Sequence, residues 1–185
     1  MSGILEPVAG TVEVYGRLAS LISVAFGFDL NASGMSNIRR RGLIMGMGED
    51  ELKAKIDAII SFSELERYIH LPLYTYSAGM TLRLGFAVTT AVDAEVMLMD
   101  EWIGAGDRRF IERGRKRLLE LIDRGSILVL CSHNYALLRR LCNSVAVMWR
   151  GHLIARGGME VLDRIEAENG SIEQAYAGVI KALAQ

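Results

Sequence analysis

Apolar and polar residues alternate from Gly10 to Gly16, and a second apolar run with β-branched content extends from Leu18 to Phe26. The two runs predict two short strands. The stretch from Phe28 to Gly34 is rich in residues that bond their own backbone or tolerate positive φ, so it reads as a loop. A helix is expected to begin near Ser36, capped by Ser36 or Ser33. Between Glu49 and Tyr68, Leu52, Ile56, Ile59, Ile60, Phe62 and Leu65 recur at helical spacing, with acidic residues early and Arg67 late, which suits the helix dipole. Two helices with a break at Ser61 to Ser63 fit this pattern. Pro72 closes the region, and Thr81 to Val92 is expected to form a third helix. The outcome is a helical insert of about 60 residues between strand-bearing segments.

Beyond residue 93 the rhythm changes. Val96 to Met99 and Ile127 to Cys131 are short continuous apolar runs, each followed by a helical pattern, Phe110 to Asp123 and Tyr135 to Cys142. Runs apolar on both faces that alternate with helices predict a buried, mostly parallel sheet, so the fold class is α/β. A hairpin is expected from Val145 to Trp149 and His152 to Ala155, turning at Arg150-Gly151, with helices from Met159 onward. The predicted organisation is a single domain, with a helical subdomain at about 36–92, an α/β part at 1–35 and 93–160, and C-terminal helices at 160–185.

Composition narrows the partners. With 185 residues and 51% hydrophobic content the chain can bury a sizeable core. Lys+Arg 21 against Asp+Glu 22 gives no basic field that would attract nucleic acid. Cys131 and Cys142 lack metal-site spacing and are expected to be reduced, buried thiols. No apolar run reaches the about 18 residues of a membrane span, and Met1 to Gly10 has neither the basic flank nor the apolar core of a signal peptide. A soluble, unexported chain is the expectation.

Three stretches carry candidate chemistry. Asp100-Glu101 follows the Val96 to Met99 run, and the carboxyl end of a buried parallel strand is where α/β folds place ligands. One carboxylate there can hold a hydrated Mg²⁺ and the next can take a proton from an attacking water, or the pair is simply an acidic loop start. His133 follows the second run in the same way and can donate to a terminal phosphate, or serve as an ordinary structural histidine. Ser77-Ala78-Gly79 precedes a helix, where small residues, free N–H groups and the dipole favour an anion, although a plain serine cap has the same appearance.

In this order and spacing, the chain resembles the ATP-binding subunit of an ABC transporter. Within that superfamily it is similar to the exporters of O-antigen, capsule and teichoic acid. The resemblance rests on Thr75-Tyr76-Ser77-Ala78-Gly79-Met80, the tyrosine-led and methionine-ended form of the signature motif, together with Gly3 to Pro7, Gly10 to Leu21, Gly104-Ala-Gly-Asp107 and Arg140 to Asn143. It implies a P-loop NTPase fold with Asp100 acting on Mg²⁺, Glu101 as catalytic base and His133 facing the γ-phosphate of ATP. It also implies that Ser77, Ala78 and Gly79 meet the nucleotide of a second ABC ATPase subunit, in a homodimer or heterodimer, with Asp107 across the interface. Motion of that dimer would drive an integral membrane permease through the helical insert, from a cytoplasmic position on the inner face of the membrane. The neutral charge speaks against a relative that works on nucleic acid.

Departures from the family are equally informative. A phosphate cradle needs Gly-x-x-x-x-Gly-Lys-Ser/Thr, whereas Lys53, Lys55, Lys116 and Lys181 are the only lysines and none follows a glycine. In the resembled family that motif lies upstream of a segment like Gly3 to Pro7, so the chain is expected to be an N-terminally incomplete P-loop NTPase domain. Alone it is expected not to hydrolyse ATP, and part of its sheet is expected to lack cover. Asp29 occupies the place of the Q-loop glutamine, where a carboxylate can still touch Mg²⁺. The alternative reading is an accessory half that pairs with a complete ATPase without hydrolysing ATP itself.

Overall fold

The structure, a computed structural model, describes residues 6–22, 27–100, 107–168 and 170–183. It contains two compact units, Met1–Cys131 and Ser132–Gln185.

In the first unit, β1 (Leu18–Ser20), β2 (Val96–Asp100) and β3 (Ile127–Cys131) form a parallel sheet in the order β1-β2-β3. Leu18 pairs with Val96, Leu98 with Val129 and Asp100 with Cys131. The connection from β1 to β2 carries α1 (Gly34–Ile44), α2 (Glu49–Ser63), a 3-10 turn (Leu73–Thr75) and α3 (Ala78–Thr89), and α4 (Arg108–Asp123) lies between β2 and β3. Parallel neighbours need such crossovers, and the chain uses the first of them to house the helical insert.

Burial separates the strands. Met97, Leu98 and Met99 of β2 are buried on both faces, as expected for the middle strand of the sheet. The equally apolar β3 is not: Ile127 is 61% exposed and Leu128 to Leu130 are only half-buried. Partial cover of the sheet is thus seen at β3. The core is built around Phe62, Phe86 and Phe110, whose ring centroids are all 5.8 Å apart. Edge and offset contacts of this kind add to plain burial. Gly114 lets α4 approach, because a Cβ there would lie 3.3 Å from the Phe86 ring.

Several expectations are corrected. Gly10 to Gly16 is not a strand; Val12, Val14 and Tyr15 are exposed, so the alternation has no core to face. The run from Leu18 yields three strand residues, and 23–26 lie outside the described residues. Where two helices with a break were expected, α2 runs unbroken to Ser63 and ends at Glu64 in the left-handed region, φ 56°, and residues 66–70 form turns. Leu65 and Ile69 are nevertheless core residues, so their apolar pattern reported burial rather than helix. Helix α3 begins before the expected Thr81, capped by Ser77, whereas α1 takes Ser33, one of its two expected caps. Cys131 is exposed and Cys142 half-buried, against the expectation of two buried thiols.

The second unit contains α5 (Tyr135–Leu141), the hairpin β4 (Val145–Trp149) and β5 (His152–Gly157), then α6 (Glu160–Ala167), α7 (Ile172–Ala175) and α8 (Ala177–Leu183). The hairpin turns where the sequence indicated: Arg150 and Gly151 both have positive φ, 46° and 83°, the geometry that matches strand twist in a two-residue turn. Arg139 of α5 binds Asp163 and Glu166 of α6, each at 2.6 Å. Among the described residues no helix is long and apolar enough to cross a membrane.

Candidate functional site

Helix α3 presents the first part of the site. Ser77 has extended backbone, and its Oγ accepts the Met80 N–H at 3.2 Å, closing the first turn. The oxygen is occupied as a cap, but its O–H remains able to donate. Ala78 and Gly79 follow at positions whose N–H groups have no carbonyl one turn back. Ser77 and Ala78 are exposed, and around Gly79 an added Cβ would meet only Ser77 Oγ at 3.9 Å, so the approach is open. No acidic residue lies in the first turn to compete with an incoming anion. The arrangement suits a phosphate.

Asp100 ends the central strand β2 and is exposed at its carboxyl end, the position from which α/β sheets meet ligands. Glu101 lies outside the described residues. Asp107 caps α4, its Oδ1 accepting the Phe110 N–H at 2.9 Å. That bond first, and the Arg83 charge after it, hold its carboxyl below the usual carboxylate range against an opposing push from burial. Asp107 is therefore an anion fixed at the start of a helix, where the dipole also favours it.

Asp29 lies in a tightly built loop. Its Oδ1 accepts the Asn31 N–H at 3.0 Å, and Oδ2 is 3.6 Å from Arg40 Nη1. Its backbone is fixed by Asn37, which is fully buried: Oδ1 accepts the Asp29 N–H at 2.7 Å, and Nδ2 donates to the carbonyls of Asp29, Ala32 and Ser33. One turn on, Arg41 reaches Thr89 Oγ1 of α3 at 3.0 Å and lies over the Phe28 ring. Burial pulls its guanidinium down to about 10, so it is still cationic at neutral pH. Among the described residues no three His, Cys, Asp or Glu side chains cluster as a metal site. A cation would rely on single carboxylates such as Asp100 together with water and substrate oxygens, which is a fit for Mg²⁺ rather than for a metal caged by protein.

His133 belongs to the second unit, where it is exposed immediately before Asn134, the cap of α5. Sequence reasoning missed Asn37, Arg41 and Glu64. Glu64 joins three helices, pairing with Arg83 of α3 at 3.3 Å and with Arg113 of α4. The first two are polar residues on the buried side of α1, which the local sequence does not mark as inward-facing.

No family profile matches the chain. Structural comparison finds the architecture in an ATP-binding subunit of an ABC transporter, with TM-score 0.71 and 18% identity over 89% of this chain and 68% of that one. A dimeric ATP-binding cassette in a post-hydrolysis state, bound to ADP and Pi, gives TM-score 0.63 and 16% identity over 77% of this chain and 63% of that one. The fold is that of the ABC ATPases, a branch of the P-loop NTPases.

Sequence comparison goes further. The O-antigen export system ATP-binding protein RfbE of Yersinia enterocolitica is 38% identical over 162 residues, 88% of this chain and 67% of the relative. RfbB of Myxococcus xanthus, with the same description, is 35% identical over 83% of this chain and 35% of its own length. The teichoic acids export ATP-binding protein TagH of Lactococcus lactis is 35% identical over 86% and 34%. The chain belongs to the family of ATP-binding proteins of O-antigen and teichoic-acid export systems. It spans about a third of the length of two of these relatives and 67% of the third.

Proposed function

We propose that the chain is the ATP-binding and ATP-hydrolysing component of an ABC exporter of polysaccharide or lipid-linked polysaccharide, and that its 185 residues hold the hydrolytic and cross-subunit parts of the site. The observation that carries this reading is the open N-terminus of α3, with the Ser77 hydroxyl and the Ala78 and Gly79 amides free to receive phosphate. In this reading Ser77, Ala78 and Gly79 meet the terminal phosphate of ATP held by a second subunit, and the Asp107 carboxylate lies across the same interface. Mg²⁺, when bound, would supply positive charge to offset that developing on the phosphate. Asp100 would hold it through water, with Asp29 near it once released from Arg40. Glu101 would take the proton of the attacking water, and His133 would donate to the γ-phosphate.

The partner across the membrane is an integral permease, which places the subunit on the cytoplasmic face. The exposed Leu71 and Tyr74 on the insert support a coupling surface there. Since no lysine of the chain follows a glycine, the 185 residues alone are expected not to turn over ATP.

A fusion tests the division of labour. The segment of the Yersinia relative that precedes its matched region is joined ahead of Met1, and Mg-ATP hydrolysis is compared with that of the 185-residue chain. Hydrolysis is expected only in the fusion, with a drop of at least about a hundredfold on Glu101→Gln. Turnover by the 185-residue chain that disappears in Glu101→Gln would overturn the proposal. A folded fusion that binds ATP and does not hydrolyse it would favour an accessory half that lends Ser77 and Gly79 to a complete partner.

A further inference from the structure

We propose that Tyr76 is a positioning residue: it locks the start of α3 to the Asp29 loop through a notch that exists because residue 34 is glycine. The inference deepens the reading of Ser77 and Gly79 given above and rests on it. Tyr76 is only 9% exposed, and its hydroxyl donates to the Tyr68 carbonyl at 2.8 Å. Burial pushes the phenol up, so it remains a protonated donor across the physiological range. The hydroxyl end of the side chain reaches the first residue of α1. A Cβ on Gly34 would fall 2.3 Å from the Tyr76 hydroxyl oxygen and 3.0 Å from both Ile69 Cδ1 and the Ile69 carbonyl. Gly34 has no positive φ and a glycine lowers helix stability, so its reason for being there is this close approach.

The notch joins two strips of backbone. The Gly34 and Met35 N–H groups donate to Leu71 and Ile69, while the Leu73 and Tyr74 N–H groups donate back to Ala32 and Leu30, at 2.8 to 3.1 Å. Tyr76 N–H then bonds Leu73 O at 2.9 Å, and the next residue is the cap of α3. The Asp29 loop, the 3-10 turn and the anion-facing end of α3 are thus one mechanical piece, with the Tyr76 ring as its pin. A displacement of the Asp29 loop would carry Ser77 with it.

Amide hydrogen exchange on the full chain tests this, with wild type compared with Tyr76→Phe, Gly34→Ala and the double variant, alongside melting temperature. Tyr76→Phe removes one oxygen, so it is the variant least able to prevent folding. Losing one buried hydrogen bond is expected to raise exchange about tenfold at the bonded amides of Gly34, Met35, Leu73, Tyr74, Tyr76 and Met80 together. The amides of Leu84 to Thr89 should be unchanged, and the double variant should be no worse than Gly34→Ala alone. A uniform rise across 27–92, a rise confined to residues 73–80, or additive effects in the double variant would overturn the proposal. Failure of the nucleotide reading shows itself separately, as indifference of the fusion's ATP turnover to Ser77→Asp with the exchange coupling intact.

Discussion

Ser77 serves two purposes with one oxygen, and the two can be separated by substitution. As a cap it accepts the Met80 N–H, and as a ligand it would donate to phosphate. Ser77→Ala removes both functions and is expected to cost about 1 kcal/mol of stability in urea denaturation. Ser77→Asp retains the cap and complements the helix dipole, so stability should hold within about 0.5 kcal/mol. It also places a carboxylate where phosphate would lie, and hydrolysis by the fusion described above should fall at least about tenfold. Equal activity in Ser77→Asp and wild type would leave Ser77 as a cap alone. At this scale the sequence was legible in part: the Ser77 and Asn134 caps follow from residue type and position. Asn37 was not, because nothing in Ser-Asn-Ile-Arg-Arg-Arg indicates that one polar side chain turns inward to satisfy an entire loop.

Between elements, the insert is fastened by charge as well as by its aromatic core. Glu51 of α2 receives bonds from Lys55 at 2.9 Å and Arg17 at 3.1 Å, and Lys55 also reaches Asp93 at 2.6 Å. The Lys55 bond, before that of Arg17, holds the Glu51 carboxyl below its usual range despite some desolvation. Desolvation pulls on the Lys55 ammonium, but Asp93 and Glu51 outweigh it and push the group up. A depressed carboxylate stabilises the fold above its unfolded pKa of about 4.3 and loses that contribution as pH falls through the folded value. A raised lysine contributes below its unfolded pKa of about 10.4 and loses it as pH rises through the folded value. The melting temperature of Glu51→Gln should therefore lie below wild type between about pH 5 and pH 10, and the two curves should converge once pH has fallen through the lowered Glu51 value. A gap that stays constant through that fall would show that the ion pairs contribute nothing.

Helices and strands were read well wherever an apolar pattern met a hydrogen-bonding partner or a helical period. The β2 and β3 runs, α4, α5 and the Arg150-Gly151 hairpin fall close to where apolar runs and turn chemistry placed them. Reading failed where one signal stood without the other. Gly10 to Gly16 alternates but has no partner strand, and Leu65 and Ile69 are buried by turns rather than by a helix. Periodicity reports which side chains face inward, whereas hydrogen-bond partners decide whether a segment becomes a strand.

In the molecule as a whole, topology rather than local sequence sets where each candidate residue stands. Strand β2 carries Asp100 at its exposed end, the insert carries Ser77 and Gly79 at the head of α3, and Asp107 caps α4. His133 lies in the second unit and Glu101 outside the described residues. The central claim is that the α3 N-terminus completes the ATP site of another subunit, and ATP-dependent pairing tests it most directly. Oligomeric state is measured by light scattering during size exclusion, on the fusion carrying Glu101→Gln. The account expects a dimer with Mg-ATP and a monomer without it, and a monomer in both conditions when Gly79→Asp is added. A dimer that forms equally well with Gly79→Asp would contradict it.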